Sequence, residues 1–431
     1  MKLREIIIAL LLVSAFAGVG ISYGKFYLFH LIFLIVLGYC VANRKSMALP
    51  KLKGYSMVYP LALLAFFSLS VLWTPETTEG LKYLIYMIIA CGILYLPQLL
   101  VTSKLQLKRA ISMIAILSAL EILIGLLEYF SSFRYPISPY SHNVTLFNRK
   151  YSIPDGLASE SIEILHSTPT GFHWNPNNFA TVMLILIPFF IYAKNWWIKL
   201  SGVLSCTFLI FVSNSRTAIF ALIVVLIICF IQSFRINKKG FIYSVGALVT
   251  ILAIVLNFTT IGGIISTKFR SSTTAVNVLL FEYQTDNNSI GVRQKIIRNA
   301  FTEISENHFL GSGIGASKYS QIKHGKSQGK ITSIHNYWLE ILVDGGILIF
   351  FSFMLWYIIL IRDLGRYTSK SDGMLKSLAK ACLAALMGCI LMGFSVSSFT
   401  YFLPFWVLIS ISLMVLKFRA YPETTLETPP K

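Results

Sequence analysis

Four side chains in this sequence are suited to handling an anionic group beside a membrane. They are Arg216, Arg293, Arg298 and His335. The planar, permanently charged guanidinium of arginine matches phosphate oxygens, and the pKa of histidine lies close to neutral pH. Together they indicate a site with fixed cations and one titratable base. Taken singly, Arg216 is equally explained by snorkelling to the interface, and a lone histidine at a helix start is more often structural.

Residues 259–336 interrupt an otherwise continuous series of apolar segments, and they contain three of these four side chains. The stretch carries nine lysines or arginines against four carboxylates, together with His308, His324 and His335. Such a composition suits a site that binds an anionic substrate at a membrane surface.

Within this stretch, residues 291–309 have helical spacing. Val292, Ile296, Ile297, Ala300, Phe301 and Ile304 form the predicted apolar stripe. Arg293, Lys295 and Arg298 are assigned to positions off the stripe. We therefore expect a helix that packs on the membrane domain and offers cations to a cleft, with a merely solvated basic face as the alternative.

The elements that must position these residues are membrane spans. Hydrophobic residues make up 55% of the 431 residues and charged residues 13%, with a mean hydropathy of +0.70, which excludes a soluble globular domain. A hydrocarbon core of about 30 Å needs roughly 20 apolar residues per helix. The twelve predicted spans cover residues 5–23, 26–42, 55–73, 82–101, 110–130, 176–193, 197–213, 216–233, 240–257, 336–361, 378–396 and 402–417.

Lysine and arginine occur in every second short connection, which predicts the orientation of the spans. The basic connections are 44–53, 104–109, 194–199, 235–239 and 362–376, whereas 74–81 and 397–401 contain no cation. Both termini are therefore expected in the cytoplasm. The predicted organisation is spans one to nine within 1–258 with an outer loop at 131–175, a large outer loop at 259–335, spans ten to twelve within 336–417, and a cytoplasmic tail at 418–431.

The first 23 residues resemble a signal peptide, since Lys2 and Arg4 precede an apolar core and Ala15-Phe16-Ala17. We expect an uncleaved first helix. The formal charge of +19 does not indicate nucleic acid, because most cations are explained by membrane orientation.

Metal and disulfide chemistry are not indicated. All six cysteines fall within apolar spans, and the outer loops contain few carboxylates and no metal-binding motif. Gly311-Ser312-Gly313-Ile314-Gly315-Ala316 fits a dinucleotide pattern by its letters alone. It lacks the strand–turn–helix context of that motif, and we expect its glycines to form a tight turn over the site.

The chain resembles the O-antigen ligase and polymerase superfamily of bacterial membrane glycosyltransferases, which includes teichuronic acid and capsule polymerases. The resemblance covers nearly the whole chain in topology. Its specific residues are Asn175-Pro176-Asn177-Asn178-Phe179-Ala180, Ser213-Asn214-Ser215-Arg216-Thr217, Gly291-Val292-Arg293 through to Asn307-His308-Phe309-Leu310-Gly311-Ser312-Gly313-Ile314-Gly315, and His335-Asn336-Tyr337-Trp338-Leu339-Glu340 with Asp344-Gly345-Gly346.

This resemblance implies an all-α, polytopic, GT-C-like protein of the bacterial cytoplasmic membrane, with its active site on the outer face. It implies inverting transfer of a glycan from undecaprenyl pyrophosphate to a sugar hydroxyl of an acceptor glycan or lipid-linked glycan, without metal or cofactor. By motif position, Arg216 and Arg293 would bind the pyrophosphate and His335 would orient or deprotonate the acceptor hydroxyl. Arg298 is an added candidate from its local position alone.

Three functions remain open at this stage. The first is a polymerase that extends a lipid-linked polysaccharide, which the excess of lysine over arginine slightly favours as a sign of an AT-rich genome and a Gram-positive wall. The second is a ligase that transfers the glycan to lipid A core or protein. The third is a lipid-linked oligosaccharide flippase, which would tolerate neutralisation of His335 and is disfavoured by the lack of an internal repeat.

Overall fold

The computed structural model describes residues 3–44, 54–151, 165–233, 289–325, 333–368 and 373–420. In these ranges the chain is almost wholly helical, apart from a two-stranded antiparallel hairpin that pairs Ser22–Tyr23 with Phe26–Tyr27. The predicted all-α class is confirmed. The main helices are α1 Leu3–Ala17, α2 Leu28–Ala42, α3 Tyr55–Ser70, α4 Thr77–Leu100, α5 Lys104–Phe130, α6 Pro176–Ile191, α7 Trp196–Val212, α8 Arg216–Ser233, α9 Ser289–Glu306, α10 Ala316–Lys323, α11 Tyr337–Thr368, α12 Gly373–Met392 and α13 Leu403–Ala420.

Eleven of the twelve predicted spans coincide with helices, and the twelfth, at 240–257, lies outside the described residues. Within the described residues, six helical segments are long and apolar enough to cross a membrane, and α2, α3, α6, α7 and α13 are shorter apolar helices. The chain is therefore a multi-pass membrane protein. Helix α5 begins at Lys104 rather than at residue 110, because helices extend past the hydrocarbon core with charged turns that an apolar pattern does not register.

Helix α6 lies at the centre of the bundle. Every residue from Phe179 to Pro188 is buried, a pattern that only a helix surrounded by protein produces. The helix packs against α7, α8 and α12. Helices α8 and α12 run antiparallel, since Lys380 Nζ donates to the carbonyl of Gln232 at 2.6 Å and Val225 lies beside Gly388. The Arg216 end of α8 thus lies at the Met392 end of α12.

Helix α11 is broken at Gly346, where φ is 76°. A break inside a membrane helix leaves backbone groups that water cannot satisfy. The segment before α10 supplies the missing partners: the amides of Ser312 and Gly313 donate to the carbonyls of Val343 and Asp344 at 2.9 and 3.0 Å. In return, the carbonyl of Phe309 accepts from the first amide after the break at 2.9 Å. Residues 309–313 and α11 are therefore one hydrogen-bonded unit.

Candidate active site

His335 lies two residues before α11, as the sequence predicted for a residue at the entry to span ten. The side chain of Asn336 caps the helix, and its Oδ1 accepts from the amides of Trp338 and Leu339 at 3.1 Å each. His335 itself is half-buried and has a left-handed backbone with φ of 49°. An anion bound here would face the positive end of the α11 dipole.

The connection between α12 and α13, residues 393–402, holds the entry to α11 from one side. Ser333 Oγ donates to the carbonyl of Ser397 at 2.5 Å, and the amide of Tyr337 donates to the carbonyl of Gly393 at 2.6 Å. From the sequence, residues 397–401 were predicted only as a cation-free turn after a span at 378–396. Its run of serines and threonine between two spans was the signal that could have identified it as part of the site.

Glu340 fastens this connection from within the helix. Its carboxylate is buried and accepts from the Ser398 hydroxyl at 2.6 Å and from the Phe399 amide at 2.8 Å. One turn later, Asp344 accepts from the amides of Gly315 and Ser317 at 2.9 and 2.6 Å. Glu340 thus binds the connection 393–402 to α11, and Asp344 binds the segment that contains Gly315 and Ser317. Both contacts indicate a structural role rather than a catalytic one.

The start of α6 reaches the same connection. Asn175 caps α6 by accepting from the amide of Asn177 at 2.8 Å, and Pro176 occupies the first helical turn. Asn178 Oδ1 accepts from the amide and the hydroxyl of Ser397 at 3.3 and 3.4 Å. Ser397 therefore joins the start of α6 to Ser333, which lies two residues before His335.

Two buried acids on α5 anchor the loop that leads into α6. Glu128 accepts from the amides of Tyr135, Thr170 and Gly171 at 3.1, 2.7 and 2.9 Å, so it binds both ends of the loop 131–175. Glu121 Oε1 lies 2.9 Å from His173 Nε2, and both side chains are buried. Glu121, an acid within the apolar part of α5, is thus paired with the loop.

Helix α9 packs directly beside the entry to α11. Ile296, Ala300 and Ile304 of α9 are buried against Ile334, Leu339 and Val343. The predicted packed helix is confirmed, but its stripe is narrower than predicted, because Phe301 is 50% exposed.

The two arginines of α9 occupy different positions. Arg298 is exposed and lies two residues, about 200° around the helix, from Ala300, so it is on the face opposite α11. Arg293 belongs to the first turns of α9, seven residues before Ala300, and its side chain lies outside the described part of the chain.

Arg216 is exposed at the first residue of α8. The antiparallel packing of α8 on α12 puts it at the end of the bundle where residues 393–402 lie. The structure thus assembles His335, the start of α6 and residues 393–402 through direct contacts, while Arg216 and α9 belong to neighbouring helices at that end.

The glycine-rich segment forms the expected tight turn. Gly311, Gly313 and Gly315 all have φ between 80° and 92°. A Cβ on Gly311 would lie 2.5 Å from the backbone of Gly345, so glycine is required for this approach. The turn packs on the break in α11, about 13 Å along the helix from its first residue, Tyr337, rather than over His335 as the sequence predicted.

The outer loop also brings together Glu303, Glu306 and His324, whose ligating atoms lie within 4.8 Å of one another. The sequence had suggested too few carboxylates for such a group. Lys323 Nζ lies 3.1 Å from Glu303 and 2.6 Å from Glu306, so an ammonium already neutralises the carboxylates. Burial raises the pKa of Glu303, but hydrogen bonds from His324 and Lys323 outweigh it and lower the pKa below its ordinary value. The cluster ties α9 to the end of α10.

Comparisons with known proteins complete the description of this end of the bundle. Residues 200–354 match the family model Wzy_C, described as O-antigen ligase. The chain is also similar to the teichuronic acid biosynthesis protein TuaE of Bacillus subtilis (strain 168), with 25% identity over 354 residues, covering 79% of this chain and 67% of that protein. The matched family region contains all four candidate residues.

Proposed function

From its place in the O-antigen ligase and polymerase superfamily, we propose that this chain is a membrane glycosyltransferase that moves a glycan from undecaprenyl pyrophosphate to a sugar hydroxyl on the outer face of the membrane. The observation that carries the proposal is the assembly around His335. A titratable side chain lies beside a helix N-terminus, and residues far apart in the chain hold it there through Asn178, Ser397 and Glu340.

In the proposed reaction the acceptor hydroxyl attacks the anomeric carbon as its proton passes to neutral His335. The bond between that carbon and the pyrophosphate oxygen breaks, with inversion, and undecaprenyl pyrophosphate leaves. Arg216 and Arg293 bind the charge that develops on the leaving group, with Arg298 as a weaker candidate. One such electrostatic contact contributes about 3 to 4 kcal/mol in a transition state, and a positioned base contributes roughly 10² to 10⁴ in rate.

We propose polymerisation of a cell-surface polysaccharide as the specific activity, because the similar Bacillus protein is named for teichuronic acid biosynthesis. Ligation to lipid A core or to protein is the second candidate, and the description of the matched family favours it.

A matched pair of histidines provides the test. His335 and His308 both have a left-handed backbone, with φ of 49° and 50°. Asparagine tolerates this conformation better than alanine does, so His335→Asn removes the imidazole with little backbone strain. His308 is exposed on the outer loop, and His308→Asn is the control.

The assay uses purified protein, undecaprenyl pyrophosphate-linked glycan and EDTA, with products resolved by size. We expect a ladder of longer lipid-linked chains from the wild type and from His308→Asn, and a loss of roughly 10² to 10⁴ in rate for His335→Asn. Full activity of His335→Asn would refute the assigned role. Transfer that occurs only when lipid A core is added, and in a single step, would identify a ligase instead.

A further inference from the structure

A large apolar cavity lies at the end of the bundle opposite the candidate site. Its volume is about 620 Å³, and α5, α6, α12 and α13 form most of its wall. The cavity reaches Lys194, which follows the C-terminal end of α6, whereas the candidate site lies at the N-terminal end of that helix. The Lys194 end of the cavity therefore faces the side of the membrane opposite the site, and the lining extends inward along α13 to Pro404.

The cavity has a charged mouth and an apolar interior. Lys108 and Lys194 line it at one end, and both are exposed. Farther in, the wall consists of side chains such as Ile114, Leu186 and Ile411. Water has too few polar partners in such an interior, and an empty space would forfeit the dispersion contacts of its lining. Within a bilayer, a hydrocarbon chain is the natural occupant.

The depth of the cavity matches one leaflet. Along α5 the lining runs from Lys108 to Ser118, which is about 15 Å at 1.5 Å per residue and half of a hydrocarbon core of about 30 Å. Trp196 and Trp197 follow Lys194 directly and are 61% and 75% exposed. Exposed tryptophans are typical of the headgroup level, so the mouth lies where lipid phosphates lie.

We propose that this cavity binds one anionic phospholipid of the leaflet opposite the candidate site, with an acyl chain between α5 and α6 and the phosphate between Lys108 and Lys194. Basic pockets between membrane helices recognise anionic headgroups in this way. The ligand is distinct from the glycan donor, whose pyrophosphate belongs at the other end of α6.

The experiment is native mass spectrometry of the purified full-length chain, titrated with phosphatidylglycerol or with phosphatidylcholine of the same acyl chains. We expect one phosphatidylglycerol per chain, bound more tightly than phosphatidylcholine. The double variant Lys108→Gln, Lys194→Gln should bind phosphatidylglycerol about 30-fold more weakly, from about 1 kcal/mol per lysine, and phosphatidylcholine unchanged. Lys199→Gln, on α7 and outside the cavity lining, is the control and should behave as the wild type.

A second variant tests the acyl chain rather than the headgroup. Ala115 is exposed on the cavity wall, so Ala115→Phe projects into the cavity without displacing packed helices. We expect it to weaken the binding of both lipids. The proposal would be overturned if the wild type bound the two lipids equally. It would also be overturned if Ala115→Phe and the double lysine variant both bound phosphatidylglycerol as tightly as the wild type. If Ala115→Phe is not monodisperse, the lysine variant and its control decide the question alone.

Discussion

Replacing Glu340 by glutamine should loosen the connection 393–402 while leaving the rest of the bundle folded. The buried carboxylate accepts from two donors, the Ser398 hydroxyl and the Phe399 amide, with a separate oxygen for each. Glutamine has a single acceptor oxygen, and its NH₂ group then faces the other donor. With its oxygen on the Phe399 amide, the NH₂ group donates to the Ser398 hydroxyl, which can turn to donate to Thr400 Oγ1 at 2.9 Å, so two hydrogen bonds to a carboxylate become neutral ones.

A hydrogen bond to a charged group is worth about 1 kcal/mol more than a neutral one, so the two weakened bonds cost about 2 kcal/mol. If that cost falls on the connection alone, its local opening should become about 30-fold more frequent. Hydrogen exchange of peptides that cover 393–402 measures this change directly. Transfer activity should fall as well, because Ser397 in this connection contacts the segments on both sides of the site.

Asp344→Asn is the matched control for Glu340→Gln, since it alters a buried acid one turn away on the same helix. Asp344 binds the amides of Gly315 and Ser317, so its replacement should speed exchange in the glycine-rich turn and leave 393–402 unchanged. If both variants produce the same exchange pattern, or if Glu340→Gln leaves the connection fully protected, then the two acids do not hold separate segments and the reasoning fails.

Three further predictions concern the outer loop. In the folded protein the pKa of Glu303 is lowered from 4.5, so its stabilisation of the α9–α10 contact is present above pH 4.5 and is lost as the pH falls through the folded pKa. The opening equilibrium of α9, measured by hydrogen exchange, should stay constant above pH 4.5 and increase below it. Gly311→Ala should lower the melting temperature more than Gly18→Ala. Both glycines have positive φ, but of the two only a Cβ at Gly311 would lie within 4 Å of other atoms, the backbone of Gly345. Equal melting temperatures of the two variants would contradict the packing described. Arg293→Ala should reduce glycan turnover by about 10² to 10³ and Arg298→Ala by less, and the reverse order would reassign the phosphate contact.

Much of the bundle could be predicted from the sequence because the hydrocarbon core demands long apolar segments. Helices α6 and α7 were predicted at 176–193 and 197–213 and are found at Pro176–Ile191 and Trp196–Val212. Asn175 and Pro176 at the start of α6 are local signals of a helix N-terminus, and both take those positions in the structure. The charged first turns of α5 were missed because they lie beyond the apolar segment that defines the span.

The site was less predictable because its contacts are tertiary. His335 and the packed helix α9 stood out by residue type and spacing. The partners of Glu340 lie 58 and 59 residues away, and one of them is a backbone amide, a group that every residue except proline possesses. No local pattern marks such a donor, so although the run of serines and threonine could have drawn attention to residues 393–402, their bonds to Glu340 emerged only from the fold.

The exchange of backbone hydrogen bonds at Gly346 has a consequence for how the protein is made. The carbonyl of Phe309 and the amides of Ser312 and Gly313 complete the broken helix α11, and all three precede that helix in the chain. A ribosome therefore synthesises these partners before the span that needs them. Moving α11 ahead of the outer loop by circular permutation would remove that order, and the nascent helix would enter the lipid with its break uncovered.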